Sequence, residues 1–253
     1  MRKLSSPVAF FLEAHKNRSD AGEGVVPLGI YLDNAATSFP KPEAVCRSVM
    51  EYLRTACASL SRGTHRGAVH VEEMFLETRS LLGELFNVKP EHINRIVFTS
   101  SATEALNTAV RGLLRDGDHV VTSGMEHNAL WRPLKMLEQT GVIELTAVPC
   151  PDGGSLDPLA LAGALRENTA LVAVTHASNV TGALQPIPEI GEICRRAGVP
   201  LLVDAAQTAG TYPIDVEGWN ISLLAFTGHK GLMGPQGTGG VYIAPGLELE
   251  PLK

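Results

Sequence analysis

Leu223-Leu224-Ala225-Phe226-Thr227-Gly228-His229-Lys230 begins as an unbroken apolar run and ends in a hydroxyl, an imidazole and an amine. A short run of this kind, without polar alternation, reads as a strand covered on both faces. A second run, Val199 to Val203, stops in the same way at Asp204, with Gln207 just beyond. Further short runs lie at Arg95–Phe98, His119–Thr122, Ile143–Val148, Leu171–Thr175 and Gly240–Ile243. Helical stretches fill most of the intervals: Thr103–Leu114, Ala129–Thr140, Pro158–Glu167 and Ile187–Ala197. Two more are expected upstream, Pro42–Arg54 and Val69–Phe86, with a loop at Ser59–Gly67 between them. Strand–helix alternation with apolar strands predicts an α/β fold, a mostly parallel seven-stranded sheet covered by helices.

The 253 residues supply enough apolar material for that core: 44% are hydrophobic and 19% charged. The net charge of −6 and the lack of a basic stripe argue against nucleic acid or an anionic membrane as partner. Four scattered cysteines, Cys46, Cys57, Cys150 and Cys194, form no C-x-x-C pair, which argues against a disulfide framework and a structural metal site. A reducing cytoplasm is the expected compartment. Residues 1–29 read as an N-terminal extension. Its run Pro7–Leu12 imitates a signal peptide, but Glu13, His15, Lys16 and Arg18 stand where small residues should mark a cleavage site.

In open sheets of this kind ligands sit beyond the carboxyl ends of the strands, and the polar residues cluster at those ends. A carboxylate and a lysine ending neighbouring buried strands suit a pyridine cofactor held as a Schiff base: Lys230 forms the imine, and Asp204 keeps the ring nitrogen protonated. Taken singly, each residue also has an ordinary reading. Ser100-Ser101-Ala102-Thr103 leads from a strand into a helix, where free N–H groups bind phosphate or simply receive a cap. His127 is a stacking and proton-moving ring or a structural histidine. Asn179 is a donor to the cofactor or a turn residue before Gly182. Asp204 and Lys230 could each form a structural salt bridge.

In combination they are more specific. Tyr31-Leu32-Asp33-Asn34-Ala35-Ala36-Thr37-Ser38 with Pro40, Thr99 to Asn107, Glu126-His127-Asn128-Ala129, Ser178 to Gly182, Val203 to Gln207 and Thr227 to Lys230 resemble, in family order, the cysteine desulfurases. These are fold-type I pyridoxal 5′-phosphate enzymes within the class V aminotransferases. The resemblance implies Lys230 as the Schiff-base lysine and Asp204 as the partner of the ring nitrogen. It implies Gln207 and Asn179 as donors to the ring's phenolate oxygen, and His127 as the stacking, acid–base ring. Ala102, Thr103, Thr227 and His229 would hold the phosphate. The implied reaction takes sulfur from L-cysteine, leaving alanine and an enzyme persulfide.

The same resemblance implies a large cofactor-binding domain at 30–253 with an N-terminal arm, a homodimer, and a sulfur-acceptor protein. It also implies a smaller C-terminal domain bearing the nucleophilic cysteine, a carboxylate-binding arginine and a phosphate-contacting loop. This chain is expected to stop short of it, and none of its four cysteines sits in a matching motif. Two rivals stand beside this reading. One is a selenocysteine lyase or another class V lyase or transferase; the other is an inactive cofactor-binding fragment or pseudoenzyme. A nucleotide-binding domain is disfavoured, because neither G-x-x-x-x-G-K-[ST] nor G-x-G-x-x-G occurs.

Overall fold

The computed structural model describes residues 29–251 except 57, 61, 62, 152 and 153. The expected extension, apart from Gly29, and Cys57 therefore lie outside the described residues. Two helices come first, α1 (Glu43–Thr55) and α2 (Arg66–Leu85). They are followed by a 3-10 turn (Pro90–Arg95), β1 (Ile96–Thr99), α3 (Ala102–Leu113), β2 (Asp118–Ser123), α4 (Asn128–Gln139) and β3 (Ile143–Val148). The remainder is α5 (Pro158–Ala164), β4 (Thr169–Thr175), α6 (Ile187–Ala197), β5 (Leu201–Asp204), β6 (Leu223–Thr227) and β7 (Gly239–Ile243).

The seven strands form one sheet in the order β1-β7-β6-β5-β4-β2-β3. The pairs from β6 to β3 are all parallel, while β7 is inserted antiparallel between β6 and β1. Central β5 and β6 are buried along their whole length, whereas the edge strands β1 and β3 are partly exposed. The unbroken apolar runs are thus explained by helices on both faces. Alternate residues serve alternate faces. Val172, Val174, Leu201, Val203, Leu224 and Phe226 pack with Ile187, Ile190 and Cys194 of α6 and with Phe86 at the end of α2. Leu171, Ala173, Leu202, Leu223 and Ala225 pack with Ala105, Leu106, Ala109 and Val110 of α3 and Leu130 and Leu134 of α4.

Most boundaries fall within two residues of the sequence expectation, and the two that differ by three do so for local reasons. Helix α2 starts within the expected Ser59–Gly67 loop, because the His65 ring caps it by accepting from the Ala68 N–H at 3.3 Å. Helix α5 ends at Ala164, short of the expected Glu167, because the Arg166 N–H is taken by the Thr169 hydroxyl at 2.7 Å.

Gly191 lets α6 lie directly on the backbone of Trp219: a Cβ there would sit 1.8 Å from the Trp219 carbonyl oxygen. Gly163 in α5 faces open space. Gly191→Ala should therefore cost about 3 kcal/mol, the upper end of ordinary overpacking. Gly163→Ala should be neutral or stabilise by up to about 1 kcal/mol through helix propensity. Urea unfolding of the two variants beside the parent checks both, and equal effects would contradict the packing.

Candidate active site

Four parallel strands end side by side, and their last residues or following turns meet at one pocket. The space there amounts to ≈ 500 Å³, its open mouth included, and is lined by residues from Ser101 to Lys230. All nine residues singled out from the sequence line it: Ala102, Thr103, His127, Asn179, Asp204, Gln207, Thr227, His229 and Lys230.

Asp204 ends β5 and is 3% exposed. Its Oδ1 accepts from the Ala206 N–H at 2.9 Å, the one hydrogen bond its carboxylate makes among the described residues. Burial raises its pKa, opposed by that hydrogen bond and by the nearby charges of His127 and Lys230. Lys230 follows β6, the neighbouring strand. Burial lowers the pKa of its amine, and the Asp204 charge only partly restores it. A lysine whose proton burial loosens and a carboxylate with acceptor capacity to spare thus face one cavity.

At another wall, Ser101 caps α3 by accepting from the Glu104 N–H at 3.1 Å, and Glu104 reaches back to the Ser100 N–H at 2.6 Å. The ordinary reading of this segment as a capped helix start therefore holds. It does not exhaust the segment, because the cap leaves the first N–H groups, at Ala102 and Thr103, without intrahelical partners. Gly239 permits the close approach beneath: a Cβ would come within 2.7 Å of the Ser101 carbonyl carbon.

His127 caps α4 through Nδ1, which accepts from the Ala129 N–H at 3.0 Å. In the neutral ring the proton is therefore on Nε2. His229 is held differently, with Nδ1 2.9 Å from the Thr37 hydroxyl. Burial, Lys230 and Lys41 all lower its pKa. The turn carrying it is clamped by the segment before α1. The His229 carbonyl accepts from the Ser38 N–H at 3.1 Å and the Lys41 amine at 2.6 Å.

Two predicted site residues spend their donors on the protein itself. The Gln207 side-chain amide donates to the Ala35 carbonyl at 3.0 Å, and the Thr227 hydroxyl donates to the Thr238 carbonyl at 3.2 Å.

Sequence reasoning missed Ser101, Leu106, Ala129, Thr175, Ala177 and Ala206 as lining residues. For two of them the signal was strand alternation: Thr175 and Ala177 face the pocket. His176 between them is buried, edge-on to Tyr212 and Trp219 at 5.4 and 5.6 Å. Burial lowers its pKa to about 4, so it stays neutral. Among the described cysteines, Cys46 is exposed, Cys150 is half-buried and Cys194 is buried in the core, its thiol pushed up to about 12 by burial. None of the three lines the pocket. Among the described residues no cluster of His, Cys, Asp and Glu could hold a metal, and no helix is long and apolar enough to cross a membrane.

Comparison with known proteins agrees with this architecture. A probable cysteine desulfurase of Methanothermobacter thermautotrophicus is 38% identical over 226 residues, 88% of this chain and 55% of the relative. The cysteine desulfurase IscS of Pectobacterium carotovorum is 36% identical over 231 residues, 88% of this chain and 56% of its own length. The chain thus spans about half the length of the curated relatives it matches. Among solved structures, the apo cysteine desulfurase of Thermococcus onnurineus superposes with a TM-score of 0.79 at 35% identity, covering 85% of this chain and 54% of that one. A structure described as SspA in complex with cysteine gives 0.82 at 31% identity, covering 89% and 65%. The aminotransferase class-V profile matches residues 30–253, and the chain belongs to that family.

Proposed function

We propose that this chain forms the cofactor-holding part of a pyridoxal 5′-phosphate enzyme of the cysteine desulfurase type, acting on L-cysteine. One observation carries the reading: the Lys230 amine, in the turn just past β6, and the Asp204 carboxylate, at the end of neighbouring β5, face the same pocket beside a helix N-terminus.

The residues present fit the cofactor. Asp204 is a buried carboxylate with acceptor capacity to spare, which suits a protonated ring nitrogen. The N-terminus of α3, with Thr103, Thr227 and His229, suits the phosphate. Asn179 and Gln207 would reach the ring's phenolate oxygen, Gln207 by turning its amide away from Ala35. Bound there, the cofactor would supply an electron sink for the carbon bonds of an amino acid.

The chain's own groups would move protons. Lys230 would give and take one at Nζ, helped by its lowered pKa. His127 would present Nε2, because Nδ1 is occupied by the α4 cap. In the overall reaction the carbon–sulfur bond of L-cysteine breaks, the carbon skeleton leaves as alanine, and the sulfur joins a thiolate as a persulfide. Cys46, Cys150 and Cys194 lie outside the pocket lining, so the sulfur-accepting role is assigned to none of them. Two-fold association, a protein acceptor for the sulfur and a cytoplasmic setting belong to the same proposal.

Titrating the chain with pyridoxal phosphate should give a visible absorption band that borohydride fixes. Lys230→Ala should abolish it. A band of equal strength in that variant would overturn the lysine's role, and no band in a folded parent would overturn cofactor binding. The desulfurase reading is tested with L-cysteine and a thiol reductant, where alanine and sulfide should appear together; neither product from a cofactor-loaded enzyme would reject it.

The pH dependence follows from the same site. Labelling of Lys230 by pyridoxal phosphate and borohydride requires the neutral amine. Its pH midpoint should fall below the ordinary lysine value of 10.5, since burial disfavours the charged form. Asp204→Asn removes the partly compensating charge and should move the midpoint lower still. Mass spectrometry of the labelled peptide against pH would read both shifts.

A further inference from the structure

Glu126 is a buried ionisable group to which the proposed reaction gives no role. It immediately precedes His127 in the turn between β2 and α4. Its Oε1 accepts from the Ser123 hydroxyl, which ends β2, and from the Thr175 N–H, which ends β4, at 3.1 Å. The side chain thus ties together two neighbouring strand ends. Ser123 in turn accepts from the Met125 N–H at 3.1 Å, closing the turn on itself. The other oxygen, Oε2, is buried and has no partner among the described residues.

Thr175 pairs in register with Asp204, so a second buried carboxyl group lies one strand away. Two carboxyl groups so deeply buried and so close cannot both carry full charge cheaply. The surroundings decide which keeps the proton. His127 and Lys230 favour the charged form of Asp204, as does the Ala206 N–H. Glu126 faces Asp204 and the Cys150 thiol, and no cation pairs with it among the described residues. Burial first, with a further contribution from the Asp204 charge, raises Glu126 to about 8 against the pull of the Ser123 and Thr175 hydrogen bonds.

Resting on the cofactor reading above, we propose that Glu126 is a positioning residue. As a neutral carboxyl clamped between Ser123 and Thr175, it fixes the turn that presents His127 to the pocket and leaves Asp204 as the ionised carboxylate there.

The test compares the parent with Glu126→Gln and Glu126→Ala by two readouts. The first is thermal stability of the cofactor-free chain between pH 5 and 8. There the folded parent keeps a proton that the unfolded chain releases, so its stability falls as pH rises. Glu126→Gln has no such proton, so its melting temperature should decline less over the same range. The second readout is pyridoxal phosphate affinity, followed by the visible band. Gln keeps the shared acceptor and should bind within about threefold of the parent, whereas Ala opens the clamp and should bind about tenfold more weakly. Should Glu126→Ala fail to fold, Ser123→Ala removes one side of the clamp and should weaken binding several-fold.

Parallel pH slopes for parent and Glu126→Gln would overturn the neutral carboxyl. Undiminished affinity in the clamp-opening variant would overturn the positioning role. A slope difference in a chain that binds no cofactor would uphold the neutral carboxyl and overturn the cofactor reading instead, so the two failures are distinguishable.

Discussion

A carboxylate ends β5 in the middle of the sheet, where helices cover both faces and water has little access. Removing such a group from water costs several kcal/mol unless its surroundings compensate, on the order of the penalty for a buried ion. The rest of the site is arranged around this constraint. The strand on one side, β6, delivers Lys230, and the turn after β2 delivers His127. Both favour the Asp204 charge without forming a hydrogen bond to it, so its acceptor capacity is not consumed internally. A carboxylate neutralised by a close lysine contact would be a structural ion pair. This one is stabilised only in part and can take a further donor from a ligand.

The lysine is held by its backbone. The turn after β6 is tied to itself, with the Gly228 N–H donating to the Thr238 carbonyl at 2.8 Å and the Gly234 N–H to the Gly228 carbonyl at 2.7 Å. It is tied as well to residues far away in sequence: Thr37, Ser38 and Lys41 all donate to the His229 carbonyl. These contacts join positions separated by 188 to 192 residues. Closing so long a loop carries an entropy cost that these contacts help to offset. Docking of the segment before α1 fixes the peptide just before Lys230. The backbone around Lys230 is fixed in this way, while its amine makes no hydrogen bond or ion pair among the described residues.

Much of the layer structure could be read from local chemistry. Leu223–Phe226 and Leu201–Val203 are apolar without alternation because both their faces are covered, and that alone predicts a helix-covered sheet. The order of the strands could not be read in the same way. Strand β7 is short, opens with Gly239-Gly240 and pairs antiparallel with β1, whose sequence lies far upstream. Nothing local in either segment encodes that partnership. The site residues followed the rule that polar groups end buried strands, and the structure gathers all nine at one pocket. What the rule could not reveal was how each donor is spent. Gln207 turning to Ala35, and Glu126 bridging Ser123 and Thr175, depend on contacts across neighbouring elements that the sequence presents as unrelated.

The sheet order also gives the pocket a direction. Going from β7 across β6 to β5, β4 and β2, the groups at the strand ends change character. Near β7 lie the N-terminus of α3, with its dipole and unpaired N–H groups, and the His229–Lys230 turn on β6. From β5 onward come Asp204, then Glu126 bridging β4 and β2. Backbone donors and the Lys230 amine lie toward one end, and the buried Asp204 carboxylate, with His127 near it, toward the other. Neighbouring strands lie about 4.8 Å apart, so this reversal is spread over a distance comparable to a small aromatic ring with its substituents. A molecule that carries an anionic group at one end and a protonated nitrogen at the other satisfies both ends at once. Strand order places that polarity, but at the second end Asp204 carries it, because Glu126 does not line the pocket.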